Sequence, residues 1–395
     1  MAAPRSNPSI SPALSRIFLD FFRSEKAAGF ILIGCTLLSL VIANSAWGED
    51  YNHFWHSQLA GLSVELWVND GLMAIFFLMV GLEIEREIYI GELSKFRQAF
   101  LPVMAAFGGM LFPALLHFSF THGTSSVNGF GIPMATDIAF ALGILSLAGR
   151  SVPTSLKVFL AALAIIDDLG AILVIALFYT EQLSFFYLFA ALCIFLILFI
   201  AGKKGFAVLP VYLLAGMVMW YCMFRSGVHA TISGVLLAFA IPFGKGGDRS
   251  ISARLQKALH PLSAYFILPV FALANTGVTL SADWSVTLLS LNSLGIITGL
   301  VIGKPLGILL FCRLAIAAGW AILPASVSWK HIAAAGLLAG IGFTMSIFIT
   351  LLAFNDPQTV AGSKLAILLA STCAALLGLL AFSLIRSSQK KAQGI

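Results

Sequence analysis

The stretch from Lys157 to Thr180 is apolar except for two adjacent aspartates at its centre, Asp167 and Asp168. As one helix it is long enough to cross the roughly 30 Å hydrocarbon core of a bilayer. The two acids would then lie about half-way across, where each costs at least ~2.5–3.5 kcal/mol. Two such acids on one helix indicate a functional site, and the rest of the chain must contain the groups that stabilise them.

The composition agrees with a chain that lies mostly in a membrane. Hydrophobic residues make up 59% of the sequence and charged residues 10%, whereas a soluble domain carries about 25% charge. The net charge of +6 comes from basic residues scattered between apolar segments, which indicates membrane topology rather than nucleic-acid binding. Five cysteines stand in apolar segments without a CxxC pair, which is typical of reduced packing residues: Cys35, Cys193, Cys222, Cys312 and Cys373.

Apolar segments divide the chain into twelve predicted spans, numbered here in chain order. They lie at about 27–46, 64–85, 99–120, 127–148, 156–179, 184–202, 206–223, 228–243, 258–278, 287–311, 331–354 and 362–385. The predicted fold class is therefore an all-α polytopic membrane protein with twelve transmembrane helices. We expect a single transporter domain over 1–395, with a cytoplasmic N-terminal segment at 1–26, the spans within 27–385 and a cytoplasmic tail at 386–395.

The basic residues fall on one set of loops. Most precede span one or follow an even-numbered span: Arg5, Arg16, Arg23, Lys26, Arg86, Lys95, Arg97, Arg150, Lys157, Lys203, Lys204, Lys245, Arg249, Arg254, Lys257, Arg313, Lys330, Arg386, Lys390 and Lys391. The opposite loops hold only Arg225 and Lys364. Because cytoplasmic loops carry the excess of Lys and Arg, we expect a multi-pass protein with both termini in the cytoplasm. Lys304 belongs to neither set, since it lies inside span ten.

Two spans carry residues that interrupt a helix. Span four reads NGFGIPMATDIAFALGIL and span eleven reads AAAGLLAGIGFTMSIFIT. Proline removes a backbone donor and glycine weakens a helix, so both spans are predicted to unwind near mid-membrane, facing protein or water. One break in each half of the chain is typical of an inverted-repeat transporter with its binding site where the breaks meet. The alternative is that the glycines only allow close packing of helices.

Asp137 and Lys304 suit the ends of such broken helices. Exposed helix N-termini carry partial positive charge and C-termini partial negative charge. Like ends would meet if spans four and eleven cross, and an acid and a base would relieve the repulsion. Asp137 follows the break in span four and Lys304 is the buried base, so we assign Asp137 to the positive ends and Lys304 to the negative ends.

Asp167 and Asp168 are predicted to act separately. Neighbouring side chains on a helix point about 100° apart, so these two cannot share a proton as a tight dyad. This counts against an intramembrane aspartyl protease. It favours carboxylates that exchange a proton for a small hard cation such as Na⁺ or Li⁺, with Thr136 and unwound carbonyls as further oxygen ligands. The alternative is a purely structural pair of an aspartate with Lys304.

Four further titratable residues allow two interpretations each. Glu83 and Glu87 end span two and either attract cations at a funnel mouth or form a solvated helix end. His229, in span eight, and His260, before Pro261, either sense pH or fill a structural role.

At these residues the chain resembles the NhaA family of sodium/proton antiporters over nearly its whole length. The motifs that carry the resemblance are NDGLMAIFFLMVGLEIERE, GIPMATDIAFALGIL, AALAIIDDLGAI, SGVHAT, LHPLSAYFILPVFALANTGV, IGKPLGI and GIGFTMSIF. The resemblance implies twelve helices with inverted repeats and with spans four and eleven discontinuous and crossed. It also implies electrogenic exchange, in which more protons move than sodium ions.

The resemblance further implies roles for single residues. Asp167 and Asp168 resemble the cation and proton carriers. Thr136, Asp137 and Lys304 resemble the groups near the site and at the helix crossing. Glu83, Glu87, His229 and His260 fall where the family places its cytoplasmic pH-response region. A homodimer through the first extracytoplasmic loop, here 47–63, is also implied.

Two departures from the family pattern affect the expected pH response. Gln256 and Lys257 stand where an acidic residue followed by histidine is common, and Glu85 stands where a basic residue is common. The ion-binding motifs show no such departure.

The sequence therefore predicts a bacterial inner-membrane antiporter that exports Na⁺ or Li⁺ in exchange for H⁺ by alternating access, without a cofactor. Asp167 and Asp168 would be the Na⁺ ligands. The main alternative is a sodium-coupled organic-anion symporter of similar architecture, which would need a roomier cavity and would not need Lys304. A membrane-embedded enzyme is a third hypothesis, disfavoured by the directions of the two carboxylates.

Overall fold

The computed structural model describes residues 12–94, 96–149, 152–180, 183–244, 250–279, 284–324 and 326–392. These residues are helical apart from loops and one short antiparallel hairpin, β1 (Gln58–Leu59) with β2 (Leu62–Ser63). Several charges used above to predict topology lie outside the described residues: Arg5, Lys95, Arg150, Lys245 and Arg249.

The α-helices are numbered in chain order. Those of the first half are α1 (Pro12–Ala43), α2 (Gly48–His56), α3 (Val64–Leu66), α4 (Met73–Tyr89), α5 (Phe96–Thr121), α6 (Ile138–Leu147), α7 (Thr154–Phe178) and α8 (Phe185–Lys203). Those of the second half are α9 (Leu209–Ser226), α10 (Ile232–Ala240), α11 (Ile251–Leu262), α12 (Leu268–Thr276), α13 (Trp284–Leu288), α14 (Leu291–Thr298), α15 (Lys304–Ala317), α16 (Trp329–Ala339), α17 (Phe343–Ala353) and α18 (Pro357–Ala392).

Short segments of other helix types join several of these helices. Turns of π-helix lie at Trp67–Leu72, Ser263–Ile267 and Gly299–Gly303, and 3₁₀ segments lie at Glu92–Ser94 and Ser125–Met134. Each π-helical turn continues directly into an α-helix, so α3–α4, α11–α12 and α14–α15 form three long continuous spans.

Eight helical segments in the described part of the chain are long and apolar enough to cross a membrane, and three bent helix pairs raise the number to eleven. The fold is thus that of a multi-span membrane protein. The predicted span at 228–243 corresponds to α10, which has only 9 residues and is too short to cross the hydrocarbon core by itself. Twelve spans therefore remain a prediction.

The surface of α8 has the character expected of a lipid-facing helix. Phe185, Phe186 and Phe189 are 76%, 77% and 70% exposed. Large apolar side chains exposed in such numbers on one helix would be unfavourable in water. Lipid contact accounts for them, because acyl chains are as apolar as the side chains themselves.

Both predicted helix interruptions are present. In span four the 3₁₀ segment Ser125–Met134 meets α6 at an angle of 47°, and in span eleven α16 meets α17 at the same angle. A Cβ atom at Gly340 would lie 2.4 Å from the Leu300 carbonyl oxygen. The second break therefore needs glycine there to approach the π-helical turn that precedes Lys304.

Three predicted boundaries differ from the observed ones. Helix α1 begins at Pro12, before the apolar run that starts near Ala27, and the predicted loop at 244–257 already contains the first part of α11. The Ser250 hydroxyl accepts a hydrogen bond from Ala253 N and caps α11. A search for apolar runs misses the first parts of α1 and α11, because these helical segments are polar. The predicted loop at 47–63 holds helix α2 and the β1–β2 hairpin.

Candidate functional site

Asp167 and Lys304 form an ion pair inside the protein. Asp167 lies in the middle of α7, and Lys304 is the first residue of α15, after the π-helical turn Gly299–Gly303. The Lys304 Nζ lies 2.9 Å from Asp167 Oδ2, and both side chains are completely buried. The two charges therefore neutralise each other away from solvent. The sequence indicated a pair of an aspartate with Lys304 only as an alternative, and it did not indicate which aspartate would form the pair.

Backbone atoms and one hydroxyl from the two breaks complete this cluster. Lys304 Nζ also donates to the carbonyl oxygen of Met134, the last residue of the 3₁₀ segment in span four. The Thr136 hydroxyl lies 2.8 Å from Asp167 Oδ2 and 2.9 Å from the Ala339 carbonyl oxygen at the end of α16. Lys304 and Thr136 thus contact carbonyl groups at the C-terminal ends of two helical segments, where partial negative charge is concentrated.

Asp137 contacts the N-terminal ends of two helices. Its Oδ1 accepts a hydrogen bond from Phe140 N in α6 at 2.9 Å. Its Oδ2 accepts one from Thr344 N in α17 at 3.2 Å and another from the Thr344 hydroxyl. The backbone N–H of Asp137 also donates to the Ile341 carbonyl oxygen in the other break at 2.7 Å. One carboxylate therefore caps a helix from each interrupted span.

Replacing Asp137 by alanine is expected to lower the free energy of unfolding by roughly 2–4 kcal/mol, because each lost helix cap costs about 0.5–2 kcal/mol and a buried donor is left unpaired. Asp137→Asn should lose less, since the amide oxygen can still accept one of the bonds. Thermal unfolding in detergent measures both variants.

Asp356→Ala is the matched control for this comparison. Asp356 caps α18 alone through Thr359 N and the Thr359 hydroxyl, at an exposed site. Its loss should lower the melting temperature less than Asp137→Ala does. Equal effects of the two alanine variants would show that Asp137 does not hold two helices.

Asp168 faces a cleft rather than the ion pair. It is 1% exposed and lines a cleft whose wall does not include Asp167. The polar residues of the wall are Glu83, Asp137, Asp168, His260, Ser263 and Thr344. Asp168 Oδ1 has no hydrogen-bond partner among the described residues. The two adjacent aspartates thus have different surroundings, as helical geometry predicts.

The structure brings only part of the predicted pH-response group together. Glu83 and His260 line the Asp168 cleft. Glu87 lies one turn further along α4, half-buried and outside the wall of the cleft. Both glutamates and His260 interact with other residues.

His229 does not lie with this group. Its Nε2 is 2.7 Å from the Tyr179 carbonyl oxygen, just beyond the end of α7. His229 precedes α10, whose first turn packs on the start of α4. The two helices are so close there that a Cβ atom at Gly234 would lie 2.1 Å from the Ala74 carbonyl oxygen. His229 is therefore at the opposite end of α4 from Glu87, and the expectation of one region containing all four residues does not hold for it.

The residues that depart from the family pattern lie on α4 and α11. Glu85 is buried at 5% exposure, and the Ser252 hydroxyl is 3.5 Å from its Oε2. Gln256 is half-buried and Lys257 is exposed, one and two positions beyond the buried Leu255. Glu85 does not line the Asp168 cleft.

Sequence reasoning missed several groups of the site. The carbonyls of Met134 and Ala339 have no side-chain signature, and only the predicted unwinding pointed to them. Thr344 could have been found from the sequence, because it is a small polar residue that follows the glycines of span eleven, where a helix is expected to start. Ser263 stands alone in an apolar run within a matching motif and offered little signal.

Comparison with known proteins places these residues in a family context. Residues 19–382 match the profile of a family described as Na+/H+ antiporter 1. The chain is similar to the Na(+)/H(+) antiporter NhaA 1 of Flavobacterium johnsoniae, with 54% identity covering 95% of this chain and 99% of the relative. It is also similar to the Na(+)/H(+) antiporter NhaA of Dechloromonas aromatica, with 56% identity over 96% and 98%. For the Vibrio cholerae Na(+)/H(+) antiporter NhaA the identity is 48% over 95% and 98%.

Proposed function

The chain belongs to the Na+/H+ antiporter 1 family, and from this premise we propose how its buried charges carry out the exchange. The protein is a Na⁺/H⁺ antiporter that spans the membrane several times. The family is one of transporters rather than enzymes, which removes the membrane-enzyme hypothesis. The organic-anion symport alternative finds no support among the relatives, each of which is named as a Na⁺/H⁺ antiporter.

We propose that Asp168 is the residue that alternately holds a proton and the transported cation. The observation that carries this proposal is its position in the cleft wall with one carboxylate oxygen unpartnered. A carboxylate in a low-dielectric environment takes up a proton more readily than one in water. Na⁺ entering the cleft would displace that proton, and the two species would compete for one carboxylate. Na⁺ is hard and takes oxygen ligands, which Asp168 supplies.

We propose that Asp167 joins the exchange through its ion pair with Lys304. In the part of the chain that the structure describes, Asp167 Oδ1 has no hydrogen-bond partner, while Oδ2 contacts both Lys304 and Thr136. A cation that approaches Oδ1 would weaken the pair, and Lys304 would then rely on the Met134 carbonyl. Asp167 and Thr136 serve as further Na⁺ ligands in this scheme. The competing interpretation is that the pair is only structural.

The contacts between the two breaks support a crossing of spans four and eleven. Asp137 would compensate the positive ends of α6 and α17, and Lys304 the negative ends of the Ser125–Met134 segment and α16. We propose that the chain forms one domain over residues 1–395 with twelve transmembrane helices. These helices would be arranged as inverted repeats, with the two interrupted spans at corresponding positions. Rocking of one part of the domain against the other would expose the site to each side in turn.

We propose that Glu83, Glu87 and His260 form the cytoplasmic mouth of the ion pathway. Glu83 and His260 line the cleft that contains Asp168, and acids at such a mouth raise the local cation concentration. A proton on His260 would add positive charge to the cleft wall and oppose cation entry, and so contribute to pH regulation. His229 would act separately, at the other end of α7, through the Tyr179 carbonyl.

The remaining features of the proposal concern the protein in its membrane. We place it in the bacterial inner membrane with both termini cytoplasmic, because Lys and Arg crowd one set of loops. It would export Li⁺ as well as Na⁺, move more protons than cations and use no cofactor. Trp47 and Leu59 in the 47–63 loop are 70% and 59% exposed, which supports this loop as the contact of a homodimer.

Transport in proteoliposomes tests this function. Vesicles that contain the protein are loaded with acid, and a trapped pH-sensitive dye follows the interior after NaCl or LiCl is added outside. We expect the interior to become alkaline with both salts and without an organic co-substrate, while KCl should leave it acidic. A dye signal that needs an added organic anion would favour symport instead. No response to Na⁺ or Li⁺ from mildly acidic to mildly alkaline pH would contradict antiport.

A further inference from the structure

The wall of the Asp168 cleft contains a second oxygen without a hydrogen-bond partner. In the described part of the chain, four buried side-chain atoms have no partner: Trp55 Nε1, Asp167 Oδ1, Asp168 Oδ1 and Ser263 Oγ. Asp168 and Ser263 line the same cleft. Because buried polar groups in folded proteins are nearly always satisfied, each such exception needs an explanation.

Other buried hydroxyls on helices show what Ser263 lacks. The hydroxyls of Thr276, Thr350 and Ser363 each donate to the carbonyl four residues earlier, at 2.7 to 2.9 Å. Serine and threonine usually satisfy themselves in this way inside a helix. Ser263 is 1% exposed, yet its hydroxyl has no hydrogen bond to this carbonyl or to any other described residue.

The local backbone sets Ser263 apart from its neighbours. It begins the π-helical turn Ser263–Ile267, which interrupts the span Ile251–Thr276 two residues after Pro261. Single π-helical turns inside α-helices occur frequently at functional sites. Ser263 and Ala264 at the start of this turn line the cleft together with His260.

The other polar residues of the cleft wall are already engaged. Both oxygens of Asp137 and the hydroxyl of Thr344 take part in helix capping. Glu83 and His260 each interact with another residue. Within the described part of the chain, Asp168 and Ser263 are therefore the two residues of the wall with a buried oxygen that lacks a hydrogen-bond partner.

We propose that Ser263 is a further cation-binding residue, whose hydroxyl oxygen ligates the transported Na⁺ or Li⁺ in the cleft beside Asp168. This inference rests on the proposed function. A hydroxyl is a hard, neutral oxygen donor of the kind that such cations accept. Because it carries no charge, Ser263 increases cation affinity without taking part in the proton exchange at Asp168.

Substitution of Ser263 should change the cation concentration at half-maximal rate more than the maximal rate. Loss of one neutral ligand is expected to raise the KM for Na⁺ by about three- to tenfold in Ser263→Ala. Ser263→Cys keeps the size of the side chain but replaces oxygen by sulfur, a poor ligand for Na⁺, and should raise the KM similarly. Ser263→Thr keeps the hydroxyl and should retain most of the parent's affinity for Na⁺.

Thr276→Val is the matched control. It removes a buried hydroxyl from the same span, but one that already bonds to the Ala272 carbonyl and lies outside the cleft wall. The KM for Na⁺ should stay at the parent value. If Ser263 had a purely structural role, Ser263→Ala and Ser263→Cys would instead lower the melting temperature and the maximal rate and leave the KM for Na⁺ unchanged.

Parallel assays of Asp168→Asn separate this inference from the function on which it rests. Parent-like KM values in both Ser263→Ala and Ser263→Cys, with Asp168→Asn inactive, would overturn the role of Ser263 alone. Normal exchange by Asp168→Asn would overturn the proposed function. If Ser263→Ala does not fold, the KM of Ser263→Cys, nearly identical in size to the parent, decides the question.

Discussion

Replacing Asp168 by asparagine is expected to abolish Na⁺/H⁺ exchange. The amide has nearly the same shape as the carboxylate, so the packing of α7 should survive, but the charge that attracts Na⁺ and accepts the proton is gone. Removing one partner of a buried charge interaction costs about 3–5 kcal/mol, and every 1.4 kcal/mol is tenfold in affinity, so cation binding should weaken by at least about 100-fold. Dye-loaded proteoliposomes measure the remaining exchange.

Asp356→Asn is the control for the loss of an aspartate charge. Asp356 lies in an exposed loop before α18 and outside the wall of the Asp168 cleft, and its variant should exchange Na⁺ at the parent rate. Melting temperatures of both variants distinguish a lost carrier from a misfolded protein. An Asp168→Asn protein that exchanges Na⁺ normally would show that another group carries the ion.

Breaking the Asp167–Lys304 pair should destabilise the protein more than removing both charges. Asp167→Leu leaves the Lys304 ammonium buried with the Met134 carbonyl as its remaining acceptor. Lys304→Met leaves the Asp167 carboxylate buried with Thr136. Each single change is expected to lower the free energy of unfolding by about 3–5 kcal/mol, because it strands a buried charge. The double variant Asp167→Leu, Lys304→Met should lie within about 1–2 kcal/mol of the parent.

A double-mutant cycle on thermal unfolding in detergent measures this coupling. A matched cycle on Thr136→Val with Thr276→Val pairs two buried hydroxyls that lie on different spans and contact different carbonyls, so their effects should add. If the effects of Asp167→Leu and Lys304→Met also add, the two residues do not form a pair in the folded protein. Lys304 would then not be the group that balances the charge of Asp167.

The sequence predicted the charged core of the site because burying charge in a membrane is costly. Asp167, Asp168, Asp137 and Lys304 stand out in apolar surroundings, and the glycines and proline of the interrupted spans indicate where the backbone unwinds. The sequence did not predict which acid pairs with Lys304, since the choice depends on the direction of each side chain in the folded chain. Only the positions of α7, Lys304 and the two breaks in the folded chain decide it.

Other features escaped prediction for local reasons. Ser263 resembles any small residue on a helix, and nothing in the sequence shows that its hydroxyl lacks a partner. The polar first part of α11 looks like a loop when helices are sought by hydropathy alone. His229 was grouped with Glu83 through family resemblance, whereas the parallel packing of α10 on α4 places it at the other end.

Proton release on Na⁺ binding tests the central claim most directly, namely that a proton and Na⁺ occupy the Asp168 site alternately. Na⁺ is added to the purified protein in weakly buffered detergent solution, and the pH change is compared with the amount of cation bound. We predict proton release in proportion to bound Na⁺ in the parent and its loss in Asp168→Asn. Na⁺ binding without proton release in the parent, or undiminished release in Asp168→Asn, would contradict the account.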